Sequence, residues 1–250
     1  MKDKNLVEDY YKKTVIANNS DTFEDFLKQV GKTYLGNTIN EKQFEIIIKS
    51  ILQNLQVTND DNIIDLGCAN GLISCNIAKY SKEVFGFDLS KDLIRTANKY
   101  NKSNTIYQQK NILEVNFKEL LSSKIYMYEV LQHLEYNQLR LLLQRISNIH
   151  DSFTFFIGSI PDMEKVLDFY NTKERKKYYF NEVLENDKFH IGNWWYKEQI
   201  QFLCEDLNEV IILPIQFYIR DIVIKKIKKI FNYIVLIEIK EVVYYLEIKN

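Results

Sequence analysis

Short apolar runs alternate with amphipathic segments along most of the chain. The clearest run is Asn62–Leu66, which follows the polar residues 58–61 and breaks at Gly67 and Gly71 before a helical pattern begins at Leu72. Continuous apolar runs are typical of buried parallel strands, and further strands are predicted at 84–88, 105–108, 124–134 with its exit turn, 152–160 and 209–213. The periodicity between them predicts helices at 21–30, 40–55, 91–99, 137–148 and 197–207. This alternation predicts an α/β fold.

Composition restricts the class of protein. The 250 residues are 46% hydrophobic and 14% aromatic, which is enough for the core of one large α/β domain with additions. The formal net charge of −1 gives no general attraction to nucleic acid or anionic membranes, so no nucleic-acid partner is expected. The three cysteines form no Cys-x-x-Cys pair and the N-terminus leads into no apolar signal core, which predicts a cytoplasmic protein without stable membrane insertion. The oligomeric state is not indicated.

The turn after Asn62–Leu66 contains the candidate chemistry. A strand, a glycine turn and a helix bring backbone N–H groups close to a ligand. A dinucleotide fingerprint starting at Gly67 would need glycine where Ala69 and Leu72 stand. The spacing present is Asp-x-Gly-x-x-x-Gly, and the carboxylate of Asp65 favours a cationic amino group over a pyrophosphate.

A second acidic residue follows at a matching distance. The run Val84–Asp88 ends 17 residues after Gly71, close to the separation expected for a ribose-binding carboxylate. In this order and spacing, the two motifs resemble those of the class I, Rossmann-like S-adenosylmethionine-dependent methyltransferases. The resemblance implies S-adenosyl-L-methionine as the cofactor, with Asp65 facing its methionine ammonium group and Asp88 accepting both ribose hydroxyls. The alternative is a generic βαβ pair with a glycine turn.

The resemblance also implies the remaining cofactor contacts. Leu89 would pack on adenine, and Asn111 with Ile112 takes the place where an acid or amide bonds the adenine amino group. Glu129 follows the fourth strand, where backbone cradles the methionine part in the family. The expected cofactor contacts are Asp65, Gly67, Cys68, Ala69, Gly71, Asp88, Leu89, Asn111, Ile112 and Glu129.

The fold implied by the resemblance is a three-layer α/β sandwich with a seven-stranded, mostly parallel sheet, an antiparallel last strand and a helical cap. Residues 1–57 would form an N-terminal helical lid, 58–160 the cofactor-binding core, 161–196 the cap insertion and 197–250 the end of the core sheet with a divergent tail. Within the tail, Ile222–Phe231 is predicted as a basic amphipathic helix with a solvated face, and Asn232–Lys240 as the antiparallel strand.

Two segments beside the core point to a small-molecule acceptor. Residues 29–36, 159–162 and 191–195 resemble the lids of methyltransferases from bacterial surface-glycan (capsule) loci, which implies a sugar, a sugar nucleotide or another phosphate-bearing metabolite of polysaccharide biosynthesis. The expected acceptor contacts are Lys32, Tyr128, His190, Trp194 and Trp195, beside the basic region around Arg175. The simpler interpretation makes Lys32 a solvated lysine after a helix-ending glycine and the cap aromatics a small core of their own.

Methyl transfer to a hydroxyl group needs a base for the proton. His133 follows the fourth strand and is the candidate, with His190 as the second choice; alternatively, His133 only shapes the turn. No Asn/Asp-Pro-Pro-aromatic motif of base-modifying amino-methyltransferases is present, since the chain has only Pro161 and Pro214.

Clustered acidic ligands are also missing after the fourth strand, so no metal site is expected. Two other functions stay open: a non-catalytic, methyltransferase-like binding subunit, and a nicotinamide-dependent reductase on the same type of sheet.

Overall fold

The computed structural model describes residues 11–13, 15, 22–34, 37–149, 152–185, 192–205, 209–212 and 219–226. In chain order its elements are α1 (Phe23–Gln29), β1 (Thr33–Tyr34), β2 (Asn37–Thr38), α2 (Glu41–Leu55), β3 (Asn62–Leu66), α3 (Leu72–Ile77), β4 (Glu83–Asp88), α4 (Lys91–Lys99), β5 (Thr105–Gln109), β6 (Lys124–Tyr128), α5 (Tyr136–Ile149), β7 (Phe153–Pro161), α6 (Val166–Phe169), α7 (Lys173–Tyr178), α8 (Lys197–Leu203), β8 (Glu209–Ile212) and β9 (Ile219–Lys226). Single 3₁₀ turns follow several strands, including Ile112–Glu114 after β5 and Leu131–His133 after β6.

The main sheet has the strand order β5-β4-β3-β6-β7-β9-β8 within the part of the chain described above. Five consecutive strands from β5 to β7 run parallel, whereas β9 is antiparallel to both β7 and β8. The chain moves outward from β3 through β4 to β5 and then returns to the other side of β3 at β6. This reversal creates a crevice at the carboxyl ends of β3, β4 and β6, where ligands bind in open α/β sheets.

Apolar side chains cover both faces of the sheet. On one face, α2 buries Phe44, Ile48, Ile51 and Leu55 against the strands. On the other, α5 buries Leu139, Leu142, Leu143 and Ile146. The two helical layers and the sheet between them confirm the predicted three-layer fold and the mostly parallel sheet.

Capping explains why the helices begin where the sequence predicted. The Asn40 side chain accepts from the Gln43 backbone N–H, and the Gln43 side chain accepts from the Asn40 N–H, which satisfies two otherwise unpaired donors at the start of α2. Thr22 caps α1 through the N–H of Asp25, and Ser90 caps α4 through the N–H of Leu93.

The C-terminal part differs from the prediction. The predicted helix Ile222–Phe231 overlaps β9, which remains extended as far as Lys226. Ile222, Val223 and Ile224 are β-branched residues that favour a strand, and Ile224 is fully buried against the sheet. The antiparallel strand therefore lies at Ile219–Lys226, before the predicted position, and residues 232–240 lie outside the described residues.

Candidate functional site

A pocket opens in the crevice at the carboxyl ends of β3, β4 and β6. It is lined by Tyr11, Val30, Lys32, Asp65, Gly67, Cys68, Ala69, Asn70, Leu72, Ile73, Asp88, Leu89, Ser90, Leu93, Asn111, Ile112, Tyr128, Glu129, Val130, Gln132, His133, Leu134 and Asn193. These residues come from the turns that follow four of the parallel strands, from the N-terminal segment and from the residues before α8.

The turn between β3 and α3 forms one wall of the pocket. Gly67, Ala69 and Gly71 have φ values of 86°, 50° and 78°, a region that glycine enters without strain. A Cβ atom on Gly67 would lie 2.3 Å from Cγ2 of Val130, so glycine is also required by space. The N–H groups of Gly67 and Cys68 both donate to the Phe87 carbonyl, which fixes the turn to the end of β4.

Asp88 ends β4 and is held by the backbone around it. Its Oδ2 accepts from the N–H of Ala69 at 2.9 Å, and its Oδ1 accepts from the N–H of Ser90 at 2.8 Å. Burial raises the pKa of Asp88, and these N–H groups oppose that effect. Each carboxyl oxygen keeps a further lone pair, so the group can still accept hydrogen bonds from a ligand in the pocket.

Asp65 lies deeper, on β3, and is 2% exposed. Its Oδ2 accepts from the hydroxyl groups of Ser74 on α3 and Tyr126 on β6, both at 2.5 Å. Burial raises the pKa of Asp65 to about 7, although both hydroxyl groups favour the charged form. Asp65 therefore changes its charge near neutral pH, at the edge of the pocket.

Lys32 connects the N-terminal segment to the strand end of β6. Its Nζ donates to Oε2 of Glu129 at 2.6 Å and lies 4.5 Å from the centre of the Tyr128 ring. The lysine side chain is only 5% exposed, so the interpretation of Lys32 as a solvated lysine is wrong. A lysine can be buried here because a carboxylate and an aromatic face together replace its hydration.

His133 ends the 3₁₀ turn after β6 and is largely buried. Burial lowers the pKa of His133, while the negative charge of Glu129 opposes this shift. The imidazole also meets the ring of Tyr11 edge to face, with centroids 6.5 Å apart. The neutral form of the imidazole is therefore favoured at neutral pH, and this form can accept a proton.

Residues 192–195, here named the clamp segment, hold the turn that carries His133. Asn193 donates its backbone N–H to the Gln132 carbonyl at 2.8 Å and its Nδ2 to the Leu134 carbonyl at 2.7 Å. Trp195 donates its indole N–H to the Leu131 carbonyl at 3.2 Å. The two bonds from Asn193 thus fix the backbone on both sides of His133.

Three residues that the sequence assigned to an adenine site lie in the pocket wall. Leu89, Asn111 and Ile112 line it together. The side-chain oxygen of Asn111 accepts from the Leu113 N–H at 3.0 Å, which caps the turn after β5 and uses one of its two lone pairs. Asn111 therefore serves the local fold as well as the wall of the pocket.

The structure brings most of the predicted site residues together, but not all of them. Gly71 starts α3 outside the pocket lining. Trp195 is 4% exposed within the main core, and Trp194 packs on Phe169 and Tyr170 in a separate cap cluster. His190 lies outside the described residues, so its predicted role remains a prediction.

Several pocket residues were not predicted from the sequence. Asn70 donates from Nδ2 to the Phe26 carbonyl and to Gln29 Oε1, which ties α1 to the glycine turn. The sequence could have identified Asn70 as a site residue, because it lies between Gly67 and Gly71 in the glycine motif. Asn193 and Tyr11 carried no such signal, because neither belongs to a strand-end motif.

Among the described residues, no group of three or more His, Cys, Asp or Glu side chains could hold a metal ion. The helices within the same ranges include none with the length and apolar character needed to cross a membrane.

Comparisons with known proteins agree with this geometry. Residues 63–151 match the sequence model of a family described as a methyltransferase domain. The ubiquinone biosynthesis O-methyltransferase of Rickettsia canadensis is 30% identical over 131 residues, which are 51% of this chain and 54% of the relative. The ribosomal RNA small subunit methyltransferase A of Clostridium botulinum is 26% identical over 103 residues, 40% of this chain and 34% of that protein. The chain spans about half the length, or less, of these curated relatives.

Solved structures show the same fold. The magnesium protoporphyrin IX methyltransferase of Synechocystis PCC 6803, with bound S-adenosylhomocysteine, has a TM-score of 0.57 at 14% identity and covers 90% of this chain and 99% of its own. A SAM-dependent methyltransferase from Anabaena variabilis has a TM-score of 0.59 at 17% identity, and the match covers 88% of this chain and 93% of that protein.

The fold and the strand-end pocket agree with the match of residues 63–151 to a methyltransferase domain.

Proposed function

We propose that this protein transfers a methyl group from S-adenosylmethionine to a hydroxyl group of a small molecule. The observation that supports this most is that one pocket is lined by the two strand-end carboxylates, by the glycine turn and by His133. Cofactor-binding groups and a buried base are thus within one enclosure, as a transfer reaction requires.

The residues present fit the cofactor. Asp88 has lone pairs available for ribose hydroxyls, and Leu89 and Ile112 provide an apolar wall for adenine. Gly67 gives the turn its positive φ and its close packing on Val130, which keeps the turn at the pocket wall. Asp65, beside the pocket, would hold the methionine ammonium group. The cofactor supplies an activated sulfonium methyl group, so the protein mainly has to align the acceptor and exclude water.

His133 would accept the hydroxyl proton. Burial lowers its pKa, so the imidazole is available in its neutral form at neutral pH. The clamp segment holds its turn rigidly, which preserves the geometry that proton transfer needs.

The acceptor proposal is a hydroxyl-bearing small molecule. A relative named O-methyltransferase supports oxygen as the methylated atom. A sugar, sugar nucleotide or phosphate-bearing acceptor stays within the proposal, but the structure supports it less than the sequence pattern did. Lys32 is paired with Glu129, and the Arg175 guanidinium carbon lies 4.5 Å from the Phe169 ring centre within the cap. An uncharged hydroxyl acceptor needs neither cation.

An acceptor screen followed by one substitution tests this proposal. Phenols, catechols, sugars and sugar nucleotides would be supplied with S-adenosylmethionine, and release of S-adenosylhomocysteine would be measured. With an active acceptor, His133→Ala should lower turnover by about 10²–10⁴-fold, the usual contribution of a positioned general base. Affinity for S-adenosylhomocysteine should stay within a few-fold of that of the wild type.

The cofactor-affinity measurement separates the two roles of His133. A histidine that only shapes its turn would, on removal, weaken cofactor binding and stability together with turnover. Near-normal turnover in His133→Ala would remove the general base from the proposal, and His190 would be tested next.

A further inference from the structure

A buried group of three polar side chains lies behind the pocket, and the proposed reaction does not use two of them. Ser74 on α3 and Tyr126 on β6 both donate their hydroxyl groups to Oδ2 of Asp65. Ser74 and Tyr126 are themselves fully buried. Two donors on a single carboxyl oxygen fix the plane of the carboxyl group, and Oδ1 is then the oxygen available to a ligand.

We propose that Ser74 and Tyr126 are positioning residues, which hold Asp65 so that binding of the methionine ammonium group expels one proton from its carboxyl group. The inference rests on the proposed function, because it needs the methionine part of the cofactor beside Asp65. On binding, the protonated carboxyl group of Asp65 loses H⁺ to solvent, and the resulting carboxylate pairs with the ligand's ammonium group. No covalent bond between heavy atoms changes.

The charges around Asp65 explain why a proton is present before binding. Burial, with a smaller contribution from the nearby carboxylate of Asp88 on β4, raises its pKa to about 7. Ser74, Tyr126 and the more distant Lys32 oppose this shift. The thiol of Cys68 faces the same region, but burial raises its pKa and keeps it neutral. An arriving ammonium group adds the positive charge that these residues do not fully supply.

Calorimetric titration with S-adenosylhomocysteine tests the inference without an acceptor. The observed enthalpy, measured in buffers of different ionisation enthalpy, reports how many protons leave on binding. At about pH 6, the wild type should release close to one proton, and at about pH 7.5 clearly less, since Asp65 then is mostly ionised already. Asp65→Asn should release none through this site.

Tyr126→Phe and Ser74→Ala each remove one donor that favours the carboxylate. The pKa of Asp65 should rise in both, so proton release should persist at about pH 7.5, and affinity at about pH 7 should fall by about tenfold. The amino group of the free ligand has a pKa of about 7.7–8.0. Its contribution to the measured proton exchange is therefore the same for the wild type and for every variant. Matched controls are Tyr170→Phe in the cap cluster and Ser81→Ala after α3, both buried and outside the pocket.

The outcomes are distinguishable. Wild-type proton release and affinity in both variants would overturn the positioning role. Binding without proton release at about pH 6 by the wild type would overturn the proton exchange, while the proposed function would stand. A wild-type protein that does not bind the ligand at all would refute the proposed function itself.

Discussion

At the scale of single residues, Asp65 combines a binding role with a cost to stability. An unfolded aspartate has a pKa of about 3.9, whereas burial raises the pKa of folded Asp65 to about 7. Between these values the folded protein keeps a proton that the unfolded chain has lost. The free energy of unfolding therefore decreases, through this residue, as pH rises from about 4 to about 7.

Asp65→Asn should remove this pH dependence. Without cofactor, the variant should be more stable than the wild type above pH 7, by about 1 kcal/mol or more, which corresponds to about 2–4 °C in Tm. Thermal unfolding between about pH 4 and 8 measures this. Asp61→Asn is a control of opposite sign. Asp61 is partly buried, but hydrogen bonds from Lys124 and Thr58 outweigh that burial and lower its pKa, so its loss should destabilise the protein above about pH 4. Parallel profiles for Asp65→Asn and the wild type would contradict the account.

Whether a site residue could be predicted depended on how local its partners are. Asp88 was predicted because a strand, its terminal acid and the preceding glycine turn are neighbours in sequence. Lys32 was predicted as an acceptor contact, but its burial was not, because that burial depends on Glu129, 97 positions away, which no local pattern contains. Trp195 was predicted as an acceptor contact from its aromatic type and its lid-like segment, but its burial depends on packing from other elements.

At the scale of elements, the clamp segment makes the geometry around His133 depend on a distant part of the chain. Gly192 has a φ of 97°, and a Cβ at this position would lie 2.4 Å from the Gln132 carbonyl oxygen. Gly192→Ala should therefore destabilise the protein by about 1–3 kcal/mol, through backbone strain and displacement of the turn. Chemical denaturation measures this loss. Unchanged stability would show that the clamp segment accommodates the added Cβ without destabilising the protein.

Asn193→Ala tests the same element through the reaction. Loss of one hydrogen bond on the Leu134 carbonyl should lower turnover by about tenfold, with cofactor affinity retained. In the double variant with His133→Ala, Asn193→Ala should lower turnover no further, because Asn193 acts through the histidine. Asn98→Ala, on the exposed face of α4, is the control. A double variant much slower than His133→Ala would assign Asn193 a separate role.

Elements were predictable where caps and apolar periodicity occur together, as in α2 and α4. The helix predicted at Ile222–Phe231 was wrong over residues 222–226, because lysines between apolar residues fit a helix pattern as well as a strand. These residues form a strand because they pair with β7, which is distant in sequence and therefore not visible in the local pattern.

At the scale of the whole molecule, the order of the strands creates the site. The reversal at β3 places the carboxyl ends of β3, β4 and β6 around one crevice, so Asp65, Asp88 and His133 meet although they are spread over 69 positions of the chain. The sequence motifs predicted this meeting through the fold. The resemblance also predicted an N-terminal lid and a cap insertion beside the crevice, but it did not predict Tyr11 and Asn193 as the residues that line the pocket from these segments.

The central claim is that this crevice binds S-adenosylmethionine through Asp88, and titration calorimetry tests it directly. The wild type should bind the cofactor, and Asp88→Ala should bind it more weakly by about 1–3 kcal/mol, through loss of charge-assisted hydrogen bonds to ribose. Asp60→Ala, an exposed aspartate in the turn before β3, should bind as the wild type does. Equal affinity of Asp88→Ala and the wild type for S-adenosylmethionine would contradict the account.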